Sequence, residues 1–225
     1  MKTQSKTRLQ QDLSLYYVAG TMNCSSPEHF YRILVQAIQG GITTFQFREK
    51  GVNCLSGQKQ LEMAKRAKEI CHKHDVLFIV NDDLDLMKAV DADGLHVGQT
   101  DGNLSYIRKE TEGKLLGVSA HTLAEAKDAI VHGADYIGAG PIYQTSTKPD
   151  AKKPVGVGLI SDLRSNQVNI PLVGIGGITL QNASEVIKAG ADGIAVISEI
   201  SGAVDPSSAS SNLLFVIETA KREVK

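Results

Sequence analysis

Three cations stand where one polyphosphate could be gripped. Arg48 and Lys50 lie in the run Gln46-Phe47-Arg48-Glu49-Lys50, and Lys148 closes Thr145-Ser146-Thr147-Lys148. Arginine offers phosphate oxygens a planar fork and lysine a point charge. Taken singly, each reads as a solvated surface residue; jointly, beside Asn81 and Thr145, they suggest a highly charged anion such as a diphosphate. A diphosphate usually brings a metal, and Asp82 and Asp101 are the acids at hand. Magnesium takes one or two carboxylates, keeps several waters and completes its shell with substrate phosphates. Asp82 or Asp83 reads equally as a helix N-cap. A separate anion position is suggested by Gly176-Gly177 and Ile197-Ser198, where glycines admit backbone N–H groups to a phosphate and a helix N-terminus adds a favourable dipole. A tight turn is the plainer reading of the same glycines. Ser119 has His121 nearby but no Gly-x-Ser-x-Gly elbow, so a nucleophilic triad is not indicated.

These residues need elements to position them, and the chain supplies a regular alternation. The predicted strands are 13–19, 42–47, 77–80, 94–97, 115–119, 136–139, 171–175 and 193–197, mostly continuous apolar runs as in parallel strands covered on both faces. Helical patterns fall between them, for example over 55–74, 122–132 and 179–189. A short repeat marks the step from helix to strand: Ala92-Asp93-Gly94, Ala134-Asp135-Tyr136 and Ala191-Asp192-Gly193. Strict alternation implies a parallel sheet, and eight units in 225 residues predict a (β/α)8 TIM barrel in a single α/β domain over 1–225, with residues 1–11 an N-terminal extension. An open α/β sheet is the alternative fold. In such a barrel the reactive residues belong at the C-terminal ends of the strands. That is where the cations, acids, Ser119 and paired glycines fall.

Composition narrows the function. Lys+Arg at 24 against Asp+Glu at 25, with a net charge of -1, argues against nucleic acid as a partner. No apolar stretch reaches the roughly 18 residues that span a bilayer, so no membrane partner is expected. Lys2, Lys6 and Arg8 ahead of the apolar run at 13–20 resemble a short signal peptide, but that run also reads as a first buried strand, and a cytoplasmic enzyme is the expectation. Cys24, Cys54 and Cys71 form no Cys-x-x-Cys pair.

Several motifs in order resemble the thiamine-phosphate synthase family. They are Gln46-Phe47-Arg48-Glu49-Lys50, Val80-Asn81-Asp82-Asp83, Gly94-Leu95-His96-Val97-Gly98-Gln99 with Asp101, Gly117-Val118-Ser119-Ala120-His121-Thr122, Gly138–Pro141 with Thr145–Lys148, and Gly174–Gly177. The resemblance runs from Tyr16 to the last helix. It implies a (β/α)8 transferase with two small phosphorylated substrates, 4-amino-2-methyl-5-(diphosphooxymethyl)pyrimidine and 4-methyl-5-(2-phosphooxyethyl)thiazole or its carboxylate. The implied products are thiamine monophosphate and diphosphate, with carbon dioxide when the carboxylated thiazole is used. By matching position, it implies pyrimidine-diphosphate contacts at Gln46, Phe47, Arg48, Glu49, Lys50, Asn81, Ser119 and Lys148. It implies thiazole-phosphate contacts at Thr145, Ser146, Thr147, Gly177, Ile197 and Ser198, and one Mg2+ on Asp82 and Asp101. Arg48, Lys50, Ser119 and Lys148 take the catalytic roles, Ser119 as a hydrogen-bond donor. A homo-oligomer is compatible with the sequence, which leaves the number of copies open.

Two other functions stay in view. A thiazole tautomerase, an isomerase on the same barrel, would use a histidine such as His121 as its acid and base. It has no need of Asp82, Asp101 and Lys148 for a diphosphate. A non-catalytic phosphometabolite-binding barrel would bind ligand without turnover.

Overall fold

Runs such as Leu15–Ala19 and Leu77–Asn81 carry apolar side chains on both faces, so strands made from them are stable only when covered on both sides. The computed structural model, which describes residues 6–51, 54–145 and 153–224, meets that need by closing the sheet on itself. Eight parallel strands follow one another round a barrel in chain order: β1 (Leu15–Ala19), β2 (Thr44–Phe47), β3 (Leu77–Asn81), β4 (Gly94–Val97), β5 (Leu115–Ala120), β6 (Tyr136–Ala139), β7 (Leu172–Ile175) and β8 (Gly193–Val196). Around them run α1 (Lys6–Asp12), α2 (Pro27–Gln39), α3 (Gly57–His72), α4 (Leu84–Val90), α5 (Leu104–Glu110), α6 (Leu123–Val131), α7 (Gly158–Ser165), α8 (Ala183–Lys188), α9 (Ser198–Ser201) and α10 (Pro206–Glu223). The fold is the (β/α)8 barrel that the alternation predicts. No helix among the described residues is long and apolar enough to cross a membrane.

Strand alternation divides the apolar side chains into two cores. Tyr16, Val18, Ile79, Tyr136, Val173 and Ala195 point inward. Tyr17, Phe45, Phe47 and Phe78 point outward into the helical layer, where Phe30 of α2 meets Phe45 and Phe47 edge-on. Helix α1, which overlaps the stretch 1–11 read from sequence as an extension, adds Leu9 to the inner core, and Leu13 follows it there. Gln10 Nε2 donates to Asp192 Oδ1 at 2.7 Å, so α1 covers the end of the barrel where the strands begin.

The Ala-Asp repeat has a structural task at that same end. The Phe78 N–H donates to Asp93 Oδ2 at 2.8 Å, and the Asp93 N–H donates back to the Phe78 carbonyl at 3.0 Å. Leu116 and Asp135 make the same reciprocal pair at 2.7 and 2.8 Å, as do Leu172 and Asp192 at 2.8 and 2.8 Å. Thr43 does it with its hydroxyl oxygen, accepting from the Leu15 N–H at 3.0 Å and donating its own N–H to the Leu15 carbonyl at 2.9 Å. Each even-numbered strand is thus preceded by a side chain that ties down the start of the odd-numbered strand before it.

Three of the four ties are reinforced by a nitrogen base: His72 on Asp93, Arg108 on Asp135 and Arg164 on Asp192. Arg164 also donates to the carbonyls of Gly190, Val168 and Ile170. Asp192→Ala leaves this guanidinium and the Leu172 N–H without their carboxylate. The expected loss is about 3 kcal/mol, the usual result of breaking a mostly buried, hydrogen-bonded ion pair from one side. Urea unfolding checks it, and a loss below about 1 kcal/mol contradicts it.

Candidate active site

At the opposite, C-terminal ends of the strands the barrel opens into a pocket of about 280 Å3. Its acidic side is built by the turns after β2, β3 and β4. Lys50 Nζ donates to Asp82 Oδ2 at 2.7 Å and lies 3.8 Å from Asp101 Oδ1, so one ammonium spans two carboxylates. The choice between Asp82 and Asp83 as helix cap is decided by geometry. Asp83 accepts from the Leu86 N–H at 2.9 Å and caps α4, which frees Asp82 to face the pocket. Asp82 does so from a left-handed backbone (φ 61°), held by its N–H donating to the His96 carbonyl at 2.9 Å. Asp101 Oδ2 accepts from the Gly98 N–H at 2.7 Å.

The electrostatics of the two acids differ. Burial pushes the Asp82 carboxyl up, against the pull of Lys50. Burial would also raise Asp101, but the Gly98 N–H, its contact with Asp82 and the Lys50 charge together hold it below the ordinary value. The hydrogen bond that Lys50 donates to Asp82 raises Lys50. This is a donor set that a small, hard divalent cation could also use, with water and phosphate oxygens filling its other positions.

The opposite wall comes from β6, β7 and β8. Gly176 (φ 98°) and Gly177 (φ 62°) turn the chain after β7 through conformations that side chains resist. The Ile142 N–H donates to Ile175 O at 2.8 Å and the Tyr143 N–H to Gly176 O at 2.9 Å, laying the β6 loop along this turn. Asn182 Nδ2 donates to Gly177 O at 3.1 Å, and the Leu180 N–H donates to Glu199 Oε1 at 2.9 Å, which ties the β7 loop to α9. Residues 179–182 are spent on this bracing, so α8 begins four residues after the start that its pattern suggests.

Among the sequence-predicted residues, Arg48, Lys50, Asn81, Asp82, Asp101, Ser119, Thr145, Gly177, Ile197 and Ser198 line this one pocket. Three others do not. Phe47 points outward against Phe30 and Phe78, because it alternates with the inward-facing Gln46. Glu49 turns away to the N–H and hydroxyl of Thr21 and to the Leu55 N–H, bracing the loops after β1 and β2. Gln46 lines a small cavity beneath the pocket, its Nε2 donating to the Tyr16 hydroxyl at 2.8 Å. Ser146, Thr147 and Lys148 lie outside the described residues.

A polar chain rises from beneath the floor to the pocket lining and joins Ser119 to three residues that sequence spacing gave no task. Tyr16 and Tyr136 hydroxyls are 2.9 Å apart, Tyr136 is 3.1 Å from His96 Nδ1, and His96 Nε2 is 2.9 Å from Ser119 Oγ. The histidine facing Ser119 is therefore His96. His121 faces Glu125 instead, with Nδ1 3.0 Å from Oε2. Because a phenol, not a carboxylate, faces His96 Nδ1, the pair is unlike a hydrolase triad. The signal available in sequence was a lone histidine inside the apolar run of β4.

Residues 15–200 match the family model described as thiamine monophosphate synthase. The chain belongs to that family. It is 47% identical over 201 residues to the thiamine-phosphate synthase of a Bacillus cereus strain, covering 89% of this chain and 91% of the relative. It is 44% identical over 212 residues to that of Geobacillus thermodenitrificans, covering 94% and 95%. The solved thiamine phosphate pyrophosphorylase from Pyrococcus furiosus superposes with a TM-score of 0.84 at 33% identity, covering 95% of this chain and 99% of that one. The resemblance read from the motifs is thus shown, and with it an enzyme of the transferase class. The thiamine monophosphate synthase match ends at residue 200, in α9, so it takes in both walls of the pocket.

Proposed function

We propose that this chain joins 4-amino-2-methyl-5-(diphosphooxymethyl)pyrimidine to 4-methyl-5-(2-phosphooxyethyl)thiazole, or its carboxylate, giving thiamine monophosphate and diphosphate, with carbon dioxide released when the carboxylate is used. The observation that supports this most is the division of the pocket. Lys50 bridges Asp82 and Asp101 beside Arg48 on one wall, and the Gly176–Gly177 and Ile197–Ser198 turns stand on the other. Two anions can be held apart there with an organic reaction between them.

In this reading the pyrimidine C–O bond breaks first. The diphosphate leaves, the ring amino group stabilises the benzylic-type cation, and the thiazole nitrogen attacks that carbon. Arg48 and Lys50 hold the departing diphosphate and offset its growing charge, a task shared with Lys148 by family resemblance. Ser119 donates a hydrogen bond to the diphosphate or the pyrimidine. Gly177, Thr145, Ile197 and Ser198 seat the thiazole phosphate, with Ser146 and Thr147 by the same resemblance. Positioning both substrates in one pocket supplies much of the acceleration. The residues fit one Mg2+: Asp82 and Asp101 are close enough to share one ammonium, and they would hold the ion. Bound there, it supplies positive charge to the diphosphate as that group leaves.

The test mixes the purified chain with both substrates and Mg2+ and follows thiamine monophosphate by thiochrome fluorescence, with and without EDTA. Product that disappears with EDTA is the expected result. Product undiminished by EDTA removes the metal from the proposal. No product from folded protein overturns the synthase reading and turns attention to isomerase chemistry at His121, which lines the same pocket.

A further inference from the structure

The polar chain beneath the pocket has a direction, and hydrogen counting gives it. Gln46 Nε2 donates to the Tyr16 oxygen at 2.8 Å. The single hydroxyl hydrogen of Tyr16 then has the Tyr136 oxygen, 2.9 Å away, as its acceptor. The hydrogen of Tyr136 turns in consequence to His96 Nδ1 at 3.1 Å. A neutral imidazole that accepts at Nδ1 carries its proton on Nε2, and Nε2 is 2.9 Å from Ser119 Oγ. Ser119 therefore receives a hydrogen bond from His96 and keeps its own hydrogen for the pocket. Run in reverse, the chain would bring two hydrogens to the Tyr16 oxygen. Tyr16's own hydrogen would then have no acceptor among the described residues, which is costly at a side chain only 2% exposed.

The space for this chain is shaped by neighbouring glycines. A Cβ on Gly117 would stand 2.1 Å from Tyr136 Cζ and 2.5 Å from His96 Nδ1, and one on Gly138 would stand 3.0 Å from His96 Cε1. Strands β5 and β6 thus give up side chains where the imidazole and the phenol must meet.

We infer that His96 is a positioning residue: held in its Nε2–H form by Gln46, Tyr16 and Tyr136, it fixes the Ser119 hydroxyl hydrogen toward the substrate. This rests on the reading of Ser119 as a donor to the diphosphate or pyrimidine. In this role His96 exchanges no proton with the reacting atoms; its effect on the substrate passes through the Ser119 hydroxyl.

The test has one arm that needs no turnover. In the full chain labelled with 15N-histidine, at a pH where imidazoles are neutral, long-range proton–nitrogen spectra report the tautomer of each ring, and His96→Gln identifies the signal. The Nε2–H form is expected; the Nδ1–H form overturns the inference. In the thiochrome assay, Tyr136→Phe should lower kcat about tenfold, the worth of one organised hydrogen bond, with the KM for the thiazole phosphate unchanged. In a Ser119→Ala background the same change should cost less than about twofold, since its only route is gone. An undiminished loss in that background overturns the inference. A wild-type chain without turnover sinks the synthase reading, while the tautomer still decides the direction of the chain.

Discussion

Asp82→Asn is expected to lower turnover on the order of a thousandfold while leaving the protein at least as resistant to urea as before. The loss follows from the proposed role: one of two carboxylates for the metal goes, and with it charge stabilisation of a leaving diphosphate. The stability expectation has a separate origin. Asp82 has a raised carboxyl, chiefly through burial, so at neutral pH its ionised form burdens the folded state. The sign is that of any raised acid: the cost grows as pH climbs from the unfolded value through the folded one, and above both it is fully present. Asparagine removes it and keeps the left-handed backbone at φ 61°, a conformation that Asn tolerates as Asp does. The lost partner Lys50 is half-exposed and gives up little. Urea midpoint and kcat measured on one preparation check both halves. Turnover within about tenfold of wild type contradicts the metal role, for which removal of one ligand should cost far more.

Gly177→Ala is expected to act on the other wall. Its φ of 62° disfavours any side chain, and a Cβ there would stand 2.4 Å from the Gln144 carbonyl oxygen and 2.9 Å from Tyr143 Cβ. The first is backbone, so the β6 and β7 loops must part. The strain and clash together should cost about 2 kcal/mol of stability. The KM for the thiazole phosphate should rise about a hundredfold, with kcat at saturation far less affected, as when binding is lost equally from ground and transition states. Gly158→Ala is the control. Nothing lies within 4 Å of its Cβ position, at the start of α7, and both constants should stay as they are. A fall in kcat alone for Gly177→Ala would move the glycine turn from binding the thiazole phosphate to the chemistry.

The barrel and most of its rim were legible because both depend on short-range pattern. Continuous apolar runs mark all eight strands to within two residues at their ends, and the rim residues follow those runs directly. The pairs that cross the barrel were not legible. Tyr16, Gln46, His96, Ser119 and Tyr136 come from five strands and meet only because the sheet closes, so no spacing in the chain announces them. Side-chain direction explains the misplaced contacts. In the run from Gln46 to Lys50, alternation sends Phe47 outward, and Glu49 finds donors in neighbouring loops before it can reach the pocket. The aspartate repeat was visible while its purpose was not, and Thr43 fills the same place without resembling the other three.

Those four ties carry a consequence for how the chain can be divided. Each lies wholly within one consecutive pair of strands: β1 with β2, β3 with β4, β5 with β6, β7 with β8. A break in the chain between β4 and β5 severs none of them, whereas a break between β5 and β6 parts Leu116 from Asp135. The molecule is in this sense four quarters, each with its own fastening at the closed end. Ser119 and Thr145 project from the third quarter, Asp82 and Asp101 from the second, Gly177 and Ser198 from the fourth and Arg48 from the first. No quarter owns the pocket, so two complementary halves could each keep their fastenings, yet only their union would assemble a place where two anions meet.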